Sequence, residues 1–176
     1  MSDFRIDKIT NRDGSAGTQI CGVSTFSGTS GMQLPVGPTE YRGGRGRGLF
    51  GKGNNGSPSN VVNMVEIATT GDAIDFGDIT QGTAAAGASS STRGLFMSGQ
   101  GTPGRLTQMD YVTISSSGGG SEFGDCDIAR DWPSGVSNNT RALMLNGRIA
   151  TNVATNSIEF VTIASTGNAS DFGDLT

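Results

Sequence analysis

The chain has 176 residues, 29 of them glycine and none of them histidine, with a net charge of −4 and only 34% hydrophobic and 6% aromatic content. Such a chain can bury one sizeable core or two small ones, and so thin an apolar content favours burial shared between subunits. Without histidine the commonest general base is missing, and no apolar run reaches the roughly 18 residues of a membrane span.

Residues 1–40 open with "MSDFRIDKIT", which is charged and lacks the apolar stretch of a signal peptide. The Gly/Ser/Thr-rich "GVSTFSGTSGMQLPVG" that follows predicts short strands or an extended N-terminal arm, suited to anchoring. Cys21 and the distant Cys126 lack a CxxC spacing or histidine partners, so both are expected to be small buried side chains. Residues 41–48, "YRGGRGRG", could contact phosphates, but they hold one aromatic, are not repeated and run straight into a strand. Arg42 and Arg45 are therefore candidate anchoring or partner contacts, and nucleic acid is not the expected partner. Residues 1–60 carry seven Lys/Arg against four acids, and the rest five arginines against twelve acids. That asymmetry suits a basic arm seated on an acidic body.

From residue 41 the chain repeats itself. Asp75-Phe76-Gly77-Asp78 returns as Glu122-Phe123-Gly124-Asp125 and as Asp171-Phe172-Gly173-Asp174, with the glycines 47 and 49 residues apart. Asp-Phe-Gly is also the magnesium-binding tripeptide of protein kinases. A kinase, however, needs an HRD loop and a nucleotide loop, and a triplicated tripeptide is not a unique active site. Ahead of each refrain runs "VNMVEIATTG", "MDYVTISSSG" or "IEFVTIASTG", and ahead of that a segment opened by Arg47, Arg93 or Arg141. Each unit predicts two strands, the second rich in Val, Ile and Thr, and no long helix. In the second strand the apolar phase slips between Val62/Met64 and Val65/Ile67, which predicts coverage of both faces or a β-bulge.

The expected fold is all-β: three propeller-blade-like repeats of about 48 residues (47–80, 93–127 and 141–176, within a domain 41–176) behind the arm 1–40. Three blades are too few to close a ring, so another chain completes it or the blades form an open array. Only Leu175 and Thr176 follow the last refrain, whereas "LPVGPTEYRGGRGRGLF" precedes the first arginine with no refrain before it. This pattern predicts a split blade, with early residues pairing against a late blade of the same chain or a neighbour.

The arginines that open each unit and the aspartates that close it, Asp78, Asp125 and Asp174, predict a repeated structural pair, each guanidinium holding a carboxylate or loop carbonyls. The rival reading is one ligand site per blade. Asp72, Asp75 and Asp78 could suggest calcium, but the other copies replace Asp72 with Gly119 and Asn168 and no DxDxDG loop is present. Turn capping is the expected role, with no metal. Trp132, the sole tryptophan, stands in "ARDWPSG" and is a candidate ligand contact. No nucleophile with a partner base emerges, so no catalytic residue and no cofactor are expected.

The arginine, Leu49-Phe50-Gly51, V-x-I-A-x-T-G and D-F-G-D-L-T series resembles the kelch-like repeats of structural proteins of T4-type tailed phages of marine cyanobacteria. "FRIDKITNRDGSAG" and "GPTEYRGGRGRG" resemble the start of such virion proteins. Where a kelch blade carries a glycine pair, Gly51 and Gly53 are split by Lys52. The resemblance implies a non-enzymatic virion component, tail- or fibre-associated or a surface decoration, assembled in the host cytoplasm and able to adhere to a host-surface glycan. Its expected partners are other virion proteins and itself, a trimer by the habit of phage fibres, with no membrane. The alternative is a carbohydrate-binding or carbohydrate-processing propeller.

Overall fold

The computed structural model of the chain describes residues 46–176 except Asn55, and the side chain of Gln81 is not described. The expected arm (1–40), Cys21, Arg42 and Arg45 lie outside the described residues.

The described residues contain strands and turns but no helix, as the glycine content and the missing 3.6-residue period dictate. The first sheet comprises β1 (Arg47–Phe50), β2 (Ser59–Glu66) and β3 (Ile74–Gly82), in that order. The middle sheet comprises β4 (Ala86–Ser89), β5 (Arg93–Gln100), β6 (Arg105–Thr113) and β7 (Ser121–Asp125), again in chain order. Strands β8 (Ser134–Ser137) and β9 (Arg141–Leu145) are followed by a small hairpin, β10 (Arg148–Ala150) with β11 (Val153–Ala154). With β12 (Ser157–Thr162) and β13 (Ser170–Asp174) they form the last sheet, ordered β13-β12-β9-β8. All pairings are antiparallel, and none of these sheets closes on itself.

Each copy of the refrain falls on the last strand of one sheet: Phe76 on β3, Phe123 on β7 and Phe172 on β13. The polar connectors, which lie between the expected repeat limits, supply the outer strands β4 and β8. These two are joined by Ser137, whose hydroxyl accepts from the Ser89 N–H (3.0 Å) and donates to the Ser89 carbonyl (2.8 Å).

Two apolar clusters join the sheets. Val62, Phe76 and Ile79 of the first sheet meet Phe96 and Val112 of the middle one. Leu95, Met97, Met109 and Phe123 of the middle sheet meet Ala142, Met144, Val161 and Ile163 of the last. The middle sheet is thus covered on both faces, which is why its apolar residues obey no single alternation.

The same coverage of two faces accounts for the phase slip, because the strand that carries it runs without interruption. The bulge lies on the facing refrain strand: the register shifts by one residue in all three sheets, between Val62/Asn63, Met109/Asp110 and Ile158/Glu159. The residue left over on the facing strand is in each case the refrain phenylalanine. A bulge of this kind bends its strand and re-aims a side chain.

Candidate functional site

The refrain is a bulge with a division of labour among its residues. In the first and last copies the leading aspartate accepts the N–H of the bulge glycine: Asp75 from Gly77 and Asp171 from Gly173, both at 3.0 Å. The glycines hold φ of 141°, 147° and 137°, a region that side chains disfavour. A Cβ on Gly77 would overlap the Gly118 carbonyl, and one on Gly124 the Gly167 carbonyl. The refrain strand of one sheet therefore presses its backbone against the Thr-Gly or Ser-Gly turn of the next. Backbone bonds seal the contact: Gly118 N–H to the Phe76 carbonyl and Gly120 N–H to the Asp78 carbonyl, both 2.7 Å. At the second junction Gly167 donates to Phe123 (2.7 Å) and Ala169 to Asp125 (2.8 Å).

The repeated arginines work at the same junctions. Arg47 Nη1 donates to the Ile114 carbonyl at 2.8 Å, and Arg93 Nη1 to the Ile163 carbonyl at 2.9 Å. Arg93 also lies over the Tyr111 ring at 4.6 Å, and Arg141 over Phe160 at 4.9 Å. Of the two anticipated acceptors, these guanidinium groups take carbonyls. Among the described residues no ion pair joins Arg47, Arg93 or Arg141 to Asp78, Asp125 or Asp174. The Asp125 carboxylate instead accepts the Thr107 hydroxyl at 2.9 Å.

Buried charges that sequence reasoning missed reinforce both junctions. Lys52 Nζ reaches Asp110 Oδ2 at 3.1 Å, and Asp110 Oδ1 accepts from the Thr80 hydroxyl at 2.9 Å. At the second junction Arg130 pairs with Glu159 and donates to the carbonyls of Asn146 (3.0 Å) and Ser157 (3.1 Å). The other carboxylate oxygen of Glu159 accepts the Asp127 N–H at 2.9 Å. Because every charge here is paired and further hydrogen-bonded, its burial is tolerable. The signal was in the sequence: Asn63, Asp110 and Glu159 occupy one aligned position inside otherwise apolar runs.

A third buried acid, Asp131, accepts from Arg148 Nη2 at 2.8 Å and from Arg105 Nε at 3.2 Å. The hydrogen bond from Arg148 outweighs the opposing effect of burial and, with help from Arg105, holds this carboxyl below its usual range. Trp132 follows directly. Its N–H donates to the Ala84 carbonyl at 3.0 Å, its φ is 59°, and its side chain is 66% exposed. A fixed backbone thus displays an exposed indole. Cys126 is buried as expected, and burial, followed by the Glu159 charge, pushes its thiol pKa up to about 12. This thiol is no nucleophile at neutral pH.

Between the outer strands runs a cleft of about 380 Å³, lined by Arg47, the serines from Ser89 to Ser91, Ser137, Asn138 and Asn139. Apart from Ile114 and Arg47 its lining residues are neutral hydrogen-bonding ones, and Arg47 Nη1 is already engaged by the Ile114 carbonyl. Among the described residues no cluster of acidic or sulfur ligands is placed to hold a metal ion, and no helix is long and apolar enough to cross a membrane. No protein-family model matches the chain, and no curated protein matches its sequence.

Proposed function

We propose that this chain is a non-enzymatic structural protein built of three blade-like repeats, and that it serves as a component of a phage particle, tail- or fibre-associated or a surface decoration. One observation carries the reading: at both internal junctions the repeated arginines and the backbone of the refrains hold neighbouring sheets together. Arg47 and Arg93 bind backbone carbonyls, and the first two refrains bind the following turns. The buried acids Asp110 and Glu159 are neutralised by Lys52 and Arg130. These groups serve cohesion, and the two buried carboxylates are held in ion pairs away from solvent. The virion assignment adds the resemblance of the repeats and of residues 4–17 and 37–48 to phage structural proteins. Mass spectrometry of purified particles of the phage encoding the chain tests it: the chain is expected among the particle proteins, and its absence overturns the assignment.

A second reading, adhesion to a glycan, is favoured by Trp132, because an exposed aromatic ring on a fixed backbone is a suitable platform for a sugar face. A glycan array separates the outcomes. Binding abolished by Trp132→Ala without hydrolysis marks an adhesin, hydrolysis marks the carbohydrate-processing alternative, and no binding removes both.

A further inference from the structure

The two internal junctions use the same aligned backbone and arginine contacts, and among the described residues each half of that contact occurs once more unmatched, on the first sheet and on the last. The leading face of a sheet comprises the Phe50/Phe96/Met144, Val65/Val112/Val161 and Ile67/Ile114/Ile163 positions. On the middle and last sheets these residues are buried against the preceding sheet. On the first sheet Ile67 is 68% exposed, against 6% for Ile114 and 1% for Ile163, and Phe50 is exposed as well. The trailing face centres on the refrain phenylalanine. Phe76 is 3% and Phe123 2% exposed, but Phe172, on the last sheet, is 52% exposed and Leu175 beside it is exposed too. A Cβ on Gly173 would meet open space where those on Gly77 and Gly124 meet a turn of the next sheet.

We propose that these two faces bind each other between two copies of this chain, head to tail. The trailing face of the last sheet, with Phe172 and Leu175, seats on the leading face of the first sheet, with Phe50, Val65 and Ile67. The internal junctions supply the contacts. Arg141 donates to the Ile67 carbonyl as Arg47 does to Ile114 and Arg93 to Ile163. The Phe172 and Asp174 carbonyls accept the N–H groups of Gly71 and Ala73, as Phe76 and Asp78 accept those of Gly118 and Gly120.

Charge fits the same pairing. Each internal leading face carries a buried acid: Asp110, neutralised by Lys52 of the first sheet's hairpin, and Glu159, neutralised by Arg130 of the connector between β7 and β8. At that position the first sheet has the neutral, exposed Asn63, so docking strands no carboxylate. The position aligned with Lys52 on the last sheet is Asn146, also neutral. A second copy is therefore the occupant whose surface already matches the exposed one. Such a contact is heterologous, so repetition gives a ring if the rotation closes and a filament if it does not.

This inference takes from the proposed function only its setting. Absence from particles would leave the association intact, and a monomeric chain would leave a particle role intact. The test uses the full chain and two variants at exposed positions, Ile67→Glu and Phe172→Glu, whose folding is checked by circular dichroism. Analytical ultracentrifugation up to about 100 µM, enough to register micromolar affinity, is expected to show concentration-dependent assembly of the parent chain. Each variant alone is expected to associate at least about tenfold more weakly. An equimolar mixture is expected to form a one-to-one dimer and nothing larger, because each variant keeps the face the other has lost. A monomeric parent overturns the proposal, since some other occupant then covers these faces. Either variant assembling like the parent, or a mixture that stays monomeric, overturns it equally.

Discussion

Gly124 and Gly173 share a backbone conformation, with φ of 147° and 137°, yet a side chain at the first would overlap the Gly167 carbonyl and at the second would meet nothing. The pair therefore separates strain from contact. Gly173→Ala is expected to cost only the unfavourable φ, about 1–3 kcal/mol. Gly124→Ala should add an overpacking penalty of about 1–3 kcal/mol. Urea unfolding midpoints of the two variants check the difference, and equal losses would mean that the turn yields. At Asp131 the contribution is electrostatic. Its pKa is lowered in the folded chain, chiefly by the hydrogen bond from Arg148, so the unfolded chain binds the proton more readily. The stabilisation is full above the ordinary value of 3.8 and is lost as pH falls below it toward the folded pKa. Asp131→Asn should be less stable than the parent near neutrality and should lose less on acidification below about pH 4, as read from melting temperatures across that range. Cys126, with its thiol raised to about 12, is expected to resist alkylation at pH 8 in a Cys21→Ser background until the chain is unfolded.

At the level of strands, the arginines that open β1, β5 and β9 are equivalent in sequence and unequal in setting. Arg93 bonds the Ile163 carbonyl and covers Tyr111, whereas Arg141 is exposed and has no following sheet among the described residues. Arg93→Ala should therefore lower stability by about 1.5–3 kcal/mol, the range for a hydrogen bond from a charged group. For the dilute chain Arg141→Ala should cost under about 1 kcal/mol. Thermal melts of the two variants side by side decide the point. Strands β2, β6 and β12 and their coverage on two faces were legible in the sequence because repetition marks register, whereas the bulge lies on the facing refrain strands, where the apolar pattern did not point to it. The outer strands β4 and β8 were not legible. Their Gly, Ala and Ser residues have weak strand preference, and they are held by neighbours such as Ser137, 48 positions away from Ser89. Nor did spacing alone choose between the two acceptors open to the arginines, since both the refrain carboxylates and the turn carbonyls recur with the same period.

For the whole molecule, cohesion rests on two junctions, each an apolar cluster with one buried ion pair at its side. Removing one partner of such a pair leaves the other uncompensated, at a cost of about 3–5 kcal/mol. Glu159→Gln is therefore expected to weaken the junction to the last sheet specifically. Hydrogen exchange should show β9 and β12 opening ahead of β2, and uniform loss of protection would mean that the sheets unfold as one. The buried pairs also bear on how the chain reaches this state. Tandem units of similar sequence are prone to dock in the wrong order while folding. Here the polar residues distinguish the permutations. If the first sheet lay against the trailing side of the middle one, the Arg130 guanidinium would face the amide of Asn63 where it now finds the carboxylate of Glu159. A misordered intermediate of that kind carries a stranded charge and is short-lived. The ion pairs, of modest worth to the finished structure, thus act as proofreading among the chain's own near-copies.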